Sequence, residues 1–162
     1  MFHSPTLGDV SLDRVVEEIT AYFQEESDAG YTLVIGTDSH ASFVEHEHRE
    51  VNFVTAIIVH RKGRGGRYFW RTAVNEAVYT LRTKIYRETL LSLELAQELL
   101  PKLRENMVGE AEYELEIHLD VGTSGATREL VKEVVGMVTG SGFTAKTKPL
   151  GYGAFIVADK HT

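Results

Sequence analysis

Tyr31-Thr32-Leu33-Val34-Ile35-Gly36-Thr37-Asp38-Ser39-His40 is an apolar run that delivers an aspartate at its end. The break Asp28-Ala29-Gly30 precedes it, and its first five residues read as a buried strand. A carboxylate has no packing reason to close such a strand, because burying an unpaired charge is costly. The pattern recurs further on. Tyr113, Leu115, Ile117 and Leu119 alternate with Glu114, Glu116 and His118, and that run also ends on an acid, Asp120. Neighbouring strands lie about 4.8 Å apart, so two carboxylates at adjacent strand ends repel unless something positive separates them. A hard dication with oxygen ligands is the usual solution. Taken singly, either Asp also reads as the first residue of a turn.

Working outward, Asp9 or Ser11 caps a helix over 11–26, where Leu12, Val15, Val16, Ile19, Tyr22 and Phe23 form one apolar face. After the strand at 31–35, residues 50–60 form a second, β-branched strand. The turn Gly63-Arg64-Gly65-Gly66 leads to a third at 67–73, so these two make a hairpin. A helical pattern runs from about 75 to 106, with Pro101 kinking it or starting another short helix. The strand at 113–119, a helix over 127–139, a strand over 143–148 and a short helix over 153–161 complete the chain. The order α-β-β-β-α-β-α-β-α predicts an α/β fold with a five-stranded mixed sheet, three antiparallel strands followed by parallel additions, flanked by helices. The 162 residues read as a single domain, with 1–30 a helical extension and 31–162 the core.

Composition narrows the function classes. Apolar content of 43% and charged content of 25% suit an ordinary globular domain. With no Cys there is no disulfide, no thiolate metal site and no Cys nucleophile. Neither a signal-peptide pattern nor a bilayer-length apolar stretch is present, so the expected location is the cytosol. The net charge of −7 argues against a nonspecific nucleic-acid coat, yet it is unevenly spread. Residues 60–87 hold eight bases against Glu76 alone. Such a block is either a phosphate-binding face, with Arg61, Lys62, Arg64 and Arg67 as the candidates, or a solvated surface balancing nearby acids.

Two further acids are candidates. Glu88 stands in the long helix, where the ordinary reading is a solvated or ion-paired residue. Glu94 is six residues away, about 600° of rotation, so only one of the two can face a given site. Asp159 follows the apolar run Phe155-Ile156-Val157-Ala158. The set Asp38, Glu88, Asp120 and Asp159, on strand, helix, strand and final helix, resembles the ribonuclease H-like superfamily from about residue 31 onward. More closely, Ile35-Gly36-Thr37-Asp38-Ser39, Ile117-His118-Leu119-Asp120-Val121-Gly122, Lys148-Pro149 and Val157-Ala158-Asp159-Lys160 resemble the bacterial YkuK-like family. That resemblance implies a metal-dependent nuclease: Asp38, Glu88 (or Glu94), Asp120 and Asp159 would hold two Mg²⁺ or Mn²⁺ ions roughly 3.5–4 Å apart for an in-line displacement at phosphorus. Its implied partner is a nucleic acid, RNA, DNA or hybrid.

His46 and His48 have ligand-like spacing but belong to a polar inter-strand loop. His40 and His118 flank the aspartates and either handle a proton or cap a strand end. The glycine turn at 63–66 joins two strands and lacks Gly-Lys-Ser/Thr, so it is no P-loop. Asp120-Val-Gly-Thr-Ser-Gly-Ala-Thr-Arg128 resembles the phosphate loop of actin-like sugar kinases, which clamp nucleotide between two such cores where this chain supplies one. A catalytically silent module binding a metal or a partner is the remaining alternative.

Overall fold

The computed structural model describes residues 1–43, 49–78, 80–107, 109, 111–150, 157, 160 and 161. Strands β1 (Phe2–Ser4) and β2 (Gly8–Val10) form a hairpin ahead of helix α1 (Leu12–Glu25). Strands β3 (Tyr31–Phe43), β4 (Arg49–Arg61) and β5 (Gly66–Val78) follow, then helix α2 (Leu81–Asn106) and strand β6 (Tyr113–Gly122). A 3-10 turn at Arg128–Leu130 leads into helix α3 (Val131–Gly140) and strand β7 (Thr144–Lys148). The sheet has seven strands in the order β2-β1-β5-β4-β3-β6-β7, two more than the sequence led us to expect. The added pair is the N-terminal hairpin, whose three-residue strands are too short to show a period; it joins the sheet through the pairing of His3 with Trp70. The mixed pattern is as expected: β3, β4 and β5 are antiparallel, and β6 and β7 add in parallel.

Local chemistry explains where the elements begin and end. The Ser11 side chain accepts a hydrogen bond from the Arg14 amide and caps α1. At the β4–β5 turn, Gly63 (φ 82°) and Gly65 (φ 56°) adopt left-handed conformations, which explains the glycines there. The long helix starts later than its periodicity suggests. Residues 75–78 continue β5, and α2 begins only after Thr80, whose side chain accepts from the Thr83 amide. Val78 packs with Val51, Phe53 and Leu91, which gives the strand extension an apolar reason to form. Pro101 neither ends nor restarts the helix. An interior proline costs ~3 kcal/mol or more, but Leu95, Leu99 and Leu103 are fully buried on either side of it. At about 1.5–3 kcal/mol for each buried leucine, that stripe outweighs the lost hydrogen bond.

Helices α1, α2 and α3 pack on one face of the sheet. Val15, Ile19 and Phe23 of α1, Leu95 and Leu99 of α2, and Val134 and Val138 of α3 share one core with Leu33, Ile35, Ile117 and Leu119. The opposite face carries Val54, Ala56 and Trp70, against which Val157 packs. The His161 ring stacks on Trp70 at 3.7 Å and 9°. The closing helix expected over 153–161 lies outside the described residues except for 157, 160 and 161, and Asp159, His46 and His48 lie outside them too. No helix among the described residues is long and apolar enough to cross a membrane.

Candidate active site

The parallel pairing of β3 with β6 runs from Tyr31↔Tyr113 to Gly36↔His118. Asp38 and Asp120 each lie two residues beyond that last pair. Side chains alternate along a strand, so both acids share the face of Gly36 and His118. Neighbouring residues establish which face this is. Thr37 bonds to Thr55 (2.9 Å) and Ser92 (2.8 Å), and Ser39 bonds to Glu88, so Thr37 and Ser39 face α2 while Asp38 between them faces away. In β6, Leu119 and Val121 are buried in the helix-side core and Asp120 between them is half-buried. The two aspartates therefore stand in one row on adjacent strands, on the face over which Val157 and His161 lie.

Glu88 approaches from the helix side. Only 4% exposed, it accepts a 2.5 Å hydrogen bond from Ser39 Oγ and pairs with Lys84 Nζ at 2.9 Å, both on Oε1. Its Oε2 is buried and, among the described residues, without a hydrogen-bond partner. Burial pushes the Glu88 carboxyl up to about 7, with Lys84 and Ser39 pulling it down and Asp38 adding a smaller upward push. The rise therefore comes from desolvation first and like-charge repulsion last, the reverse of what four clustered acids suggest. Glu94 is ruled out as the inward-facing helix acid: its side chain is half exposed and pairs with Arg87 at 3.5 Å.

Two lysines accompany the acids. Burial lowers the Lys84 ammonium's affinity for its proton, but the charges of Glu88, Asp38 and Asp120 leave its pKa raised. Lys148, at the end of β7, pairs with Asp120 Oδ1. Among the described residues, no three His, Asp or Glu side chains are grouped so as to hold one ion; Lys84 pairs with Glu88, and the charges of Asp38 and Asp120 also act on it. His118, two residues before Asp120, is 7% exposed and bonds through Nε2 to Glu116 at 3.0 Å, while its buried Nδ1 has no partner among the described residues. Burial holds this imidazole below its ordinary pKa. Sequence reading found the acids and missed Ser39, Lys84 and Lys148. The four-residue spacing of Lys84 and Glu88 was the available signal.

The basic block is mostly structural. Arg61 is buried, stacks on the Tyr22 ring at 4.1 Å, and donates to Tyr31 Oη, the Tyr22 carbonyl and Glu25. Arg64 pairs with Glu26 at 3.1 Å and Arg67 with Glu25 at 3.5 Å; Lys62 is exposed. The pairing Tyr31↔Arg61 puts this hairpin seven residues along β3 from Asp38, about 23 Å at 3.3 Å per residue. It balances the acidic end of α1 rather than flanking the aspartates.

The chain matches the ribonuclease H-like family model over residues 14–162, and it belongs to that family. It is 33% identical to the uncharacterized protein YkuK of Bacillus subtilis (strain 168), over all of this chain and 96% of that one. No solved structure matches the chain.

Proposed function

We propose that the chain is a metal-dependent phosphodiesterase acting on a nucleic acid, with Asp38, Glu88 and Asp120 as the acids of its site. Asp159 is the fourth acid by family resemblance. The observation that carries this reading is the buried Oε2 of Glu88, which has no hydrogen-bond partner among the described residues, beside a lysine on which the charges of three carboxylates act. A buried charged oxygen without a donor is costly, and a cation is the natural remedy. The donor set is entirely carboxylate oxygen, which fits Mg²⁺ or Mn²⁺ and suits softer metals poorly. When bound, such an ion lowers the pKa of a coordinated water and stabilises charge on the phosphoryl oxygens.

The chain's own residues have separate tasks. Asp38 and Asp120 fix the position of the charge from adjacent strands, Asp38 within β3, which continues past it to Phe43 instead of ending there. Ser39 and the packing of α2 hold Glu88 in one orientation. Hydrolysis forms a bond from water oxygen to phosphorus and breaks a phosphorus–ester oxygen bond, whose leaving oxygen takes up a proton. Phosphates along the strand are met by Lys146 and Lys148 of β7, the edge strand beside Asp120. The test is cleavage of labelled RNA, DNA and hybrid duplexes with Mg²⁺ or Mn²⁺. Activity that disappears with EDTA and with Asp38→Asn or Asp120→Asn supports the reading. Metal-independent cleavage, or full activity in both variants, refutes it. Metal binding without cleavage of any substrate would instead mark the silent module.

A further inference from the structure

We infer that Tyr68 and Trp70 of β5, with His3 of β1 beside them, form a stacking site for the unpaired bases of a single-stranded nucleic acid, whose place on Trp70 the His161 ring holds in the free protein. The inference rests on the nucleic-acid substrate proposed above, specifies it as single-stranded, and needs no metal.

Placement is the first ground. Phe69 belongs to the helix-side core and Arg71 reaches Glu98 of α2, so Tyr68 and Trp70, which alternate with them, stand on the opposite face of the sheet. The Trp70 ring centroid lies 5.7 Å from that of Tyr68 and 5.6 Å from that of His3, so three flat rings follow one another across β5 and β1. A row of rings is what successive bases of a strand stack on. Asp38 shares this face: it pairs with Val54, which pairs with Thr72, two residues from Trp70. Two strand spacings across and two residues along put Trp70 about 12 Å from Asp38. A strand held at Trp70 therefore reaches the aspartate row within a few nucleotides.

The ring already resting there is the second ground. The His161 imidazole stacks on Trp70 at 3.7 Å and 9°, so this indole face takes a flat nitrogen heterocycle at van der Waals distance. The stack is exchangeable. His161 Nε2 is buried and, among the described residues, has no hydrogen-bond partner, a cost that leaving the stack removes. Charge is the third ground. The net charge is −7, and Arg61, Arg64 and Arg67 of the hairpin are paired with Glu25 and Glu26, so attraction to phosphates alone is weak. Stacking supplies what phosphate contacts do not, and it requires unpaired bases, because in a duplex each base face is covered by its neighbours.

Trp70 is the sole tryptophan, so fluorescence excited in the indole band reads this site alone. In EDTA, titration with a short oligothymidylate is expected to quench it, and a blunt duplex of the same length is expected not to. Anisotropy of the labelled oligothymidylate gives the affinities of variants. Trp70→Leu, which keeps an apolar cover over Val54 and Ala56, is expected to bind about tenfold more weakly. Tyr68→Ala is expected to weaken binding as well, and His161→Ala, which removes the competing ring, to tighten it. Oligothymidylate bound without quenching, equal quenching by the duplex, or unchanged affinity in both Trp70→Leu and Tyr68→Ala would overturn the inference and leave a nucleic-acid substrate in place. Weaker binding by His161→Ala would overturn it too, because the imidazole would then belong to the grip. No binding of either nucleic acid by wild type would overturn both the inference and the proposed function. The wild-type titrations decide the matter even if a variant fails to fold.

Discussion

At Glu88, burial and charge pull against each other. The carboxyl's pKa is raised from 4.5 to about 7, chiefly by desolvation, despite the Lys84 ammonium beside it. An acid whose pKa is higher in the folded than in the unfolded chain binds its proton preferentially when folded. Its contribution to stability is therefore fully present below pH 4.5 and is lost as pH rises through about 7. Glu88→Gln lacks this slope. In thermal melts with EDTA, the variant's melting temperature relative to wild type is expected to climb between pH 5 and pH 8. A difference independent of pH would mean that Glu88 is not held in a desolvated setting. The same residue shows how far a sequence can be read. The apolar runs ending in Asp38 and Asp120 identify those acids because a charge there contradicts packing. Glu88 and Glu94 look alike in the sequence, and only the rotation of α2 about its buried leucine stripe decides which turns inward.

The hairpin of β4 and β5 was legible as a hairpin, but the ion pairs of its arginines were not. Its arginines form a dense positive run in the sequence, but their partners, Glu25 and Glu26, sit 35 to 42 residues earlier. Contacts at that separation have no local signature. Helix α2 began late for a similar reason: residues 75–78 have acceptable helical spacing, yet pairing with β4 and contact with Leu91 pull them into the sheet. Lys146 and Lys148, in contrast, lie next to the aspartate row on an edge strand. Nucleic-acid affinity in EDTA is expected to fall, with a shallower salt dependence, in Lys146→Ala/Lys148→Ala. It should stay unchanged in Lys62→Ala/Arg64→Ala. The reverse result in filter-binding titrations would return the phosphate face to the hairpin.

The whole molecule divides its sheet by face. One side is covered by α1, α2 and α3 and forms the core; Glu88 lies on that side, and Asp38 and Asp120 lie on the other. There, Val157 packs against Val54, Ala56 and Trp70, and the His161 ring stacks on Trp70, both over β4 and β5. The overall α/β order was readable because the long strands and helices carry strong periods. The N-terminal hairpin was not, because its three-residue strands depend on pairing with β5. Trp70, the sole tryptophan, reports on this second face. His161→Ala should shift its emission to longer wavelength as the stacked ring is replaced by water, and an unchanged spectrum would mean that His161 does not rest on the sheet in solution.

The proposed function requires a divalent cation at Asp38 and Asp120, within reach of Glu88. Anomalous diffraction from crystals soaked in Mn²⁺ tests it directly. A peak coordinated by Asp38 and Asp120, with Glu88 Oε2 turned toward it, is the expected result. Density without a peak at that row, or Mn²⁺ bound only at surface carboxylates elsewhere, would contradict it.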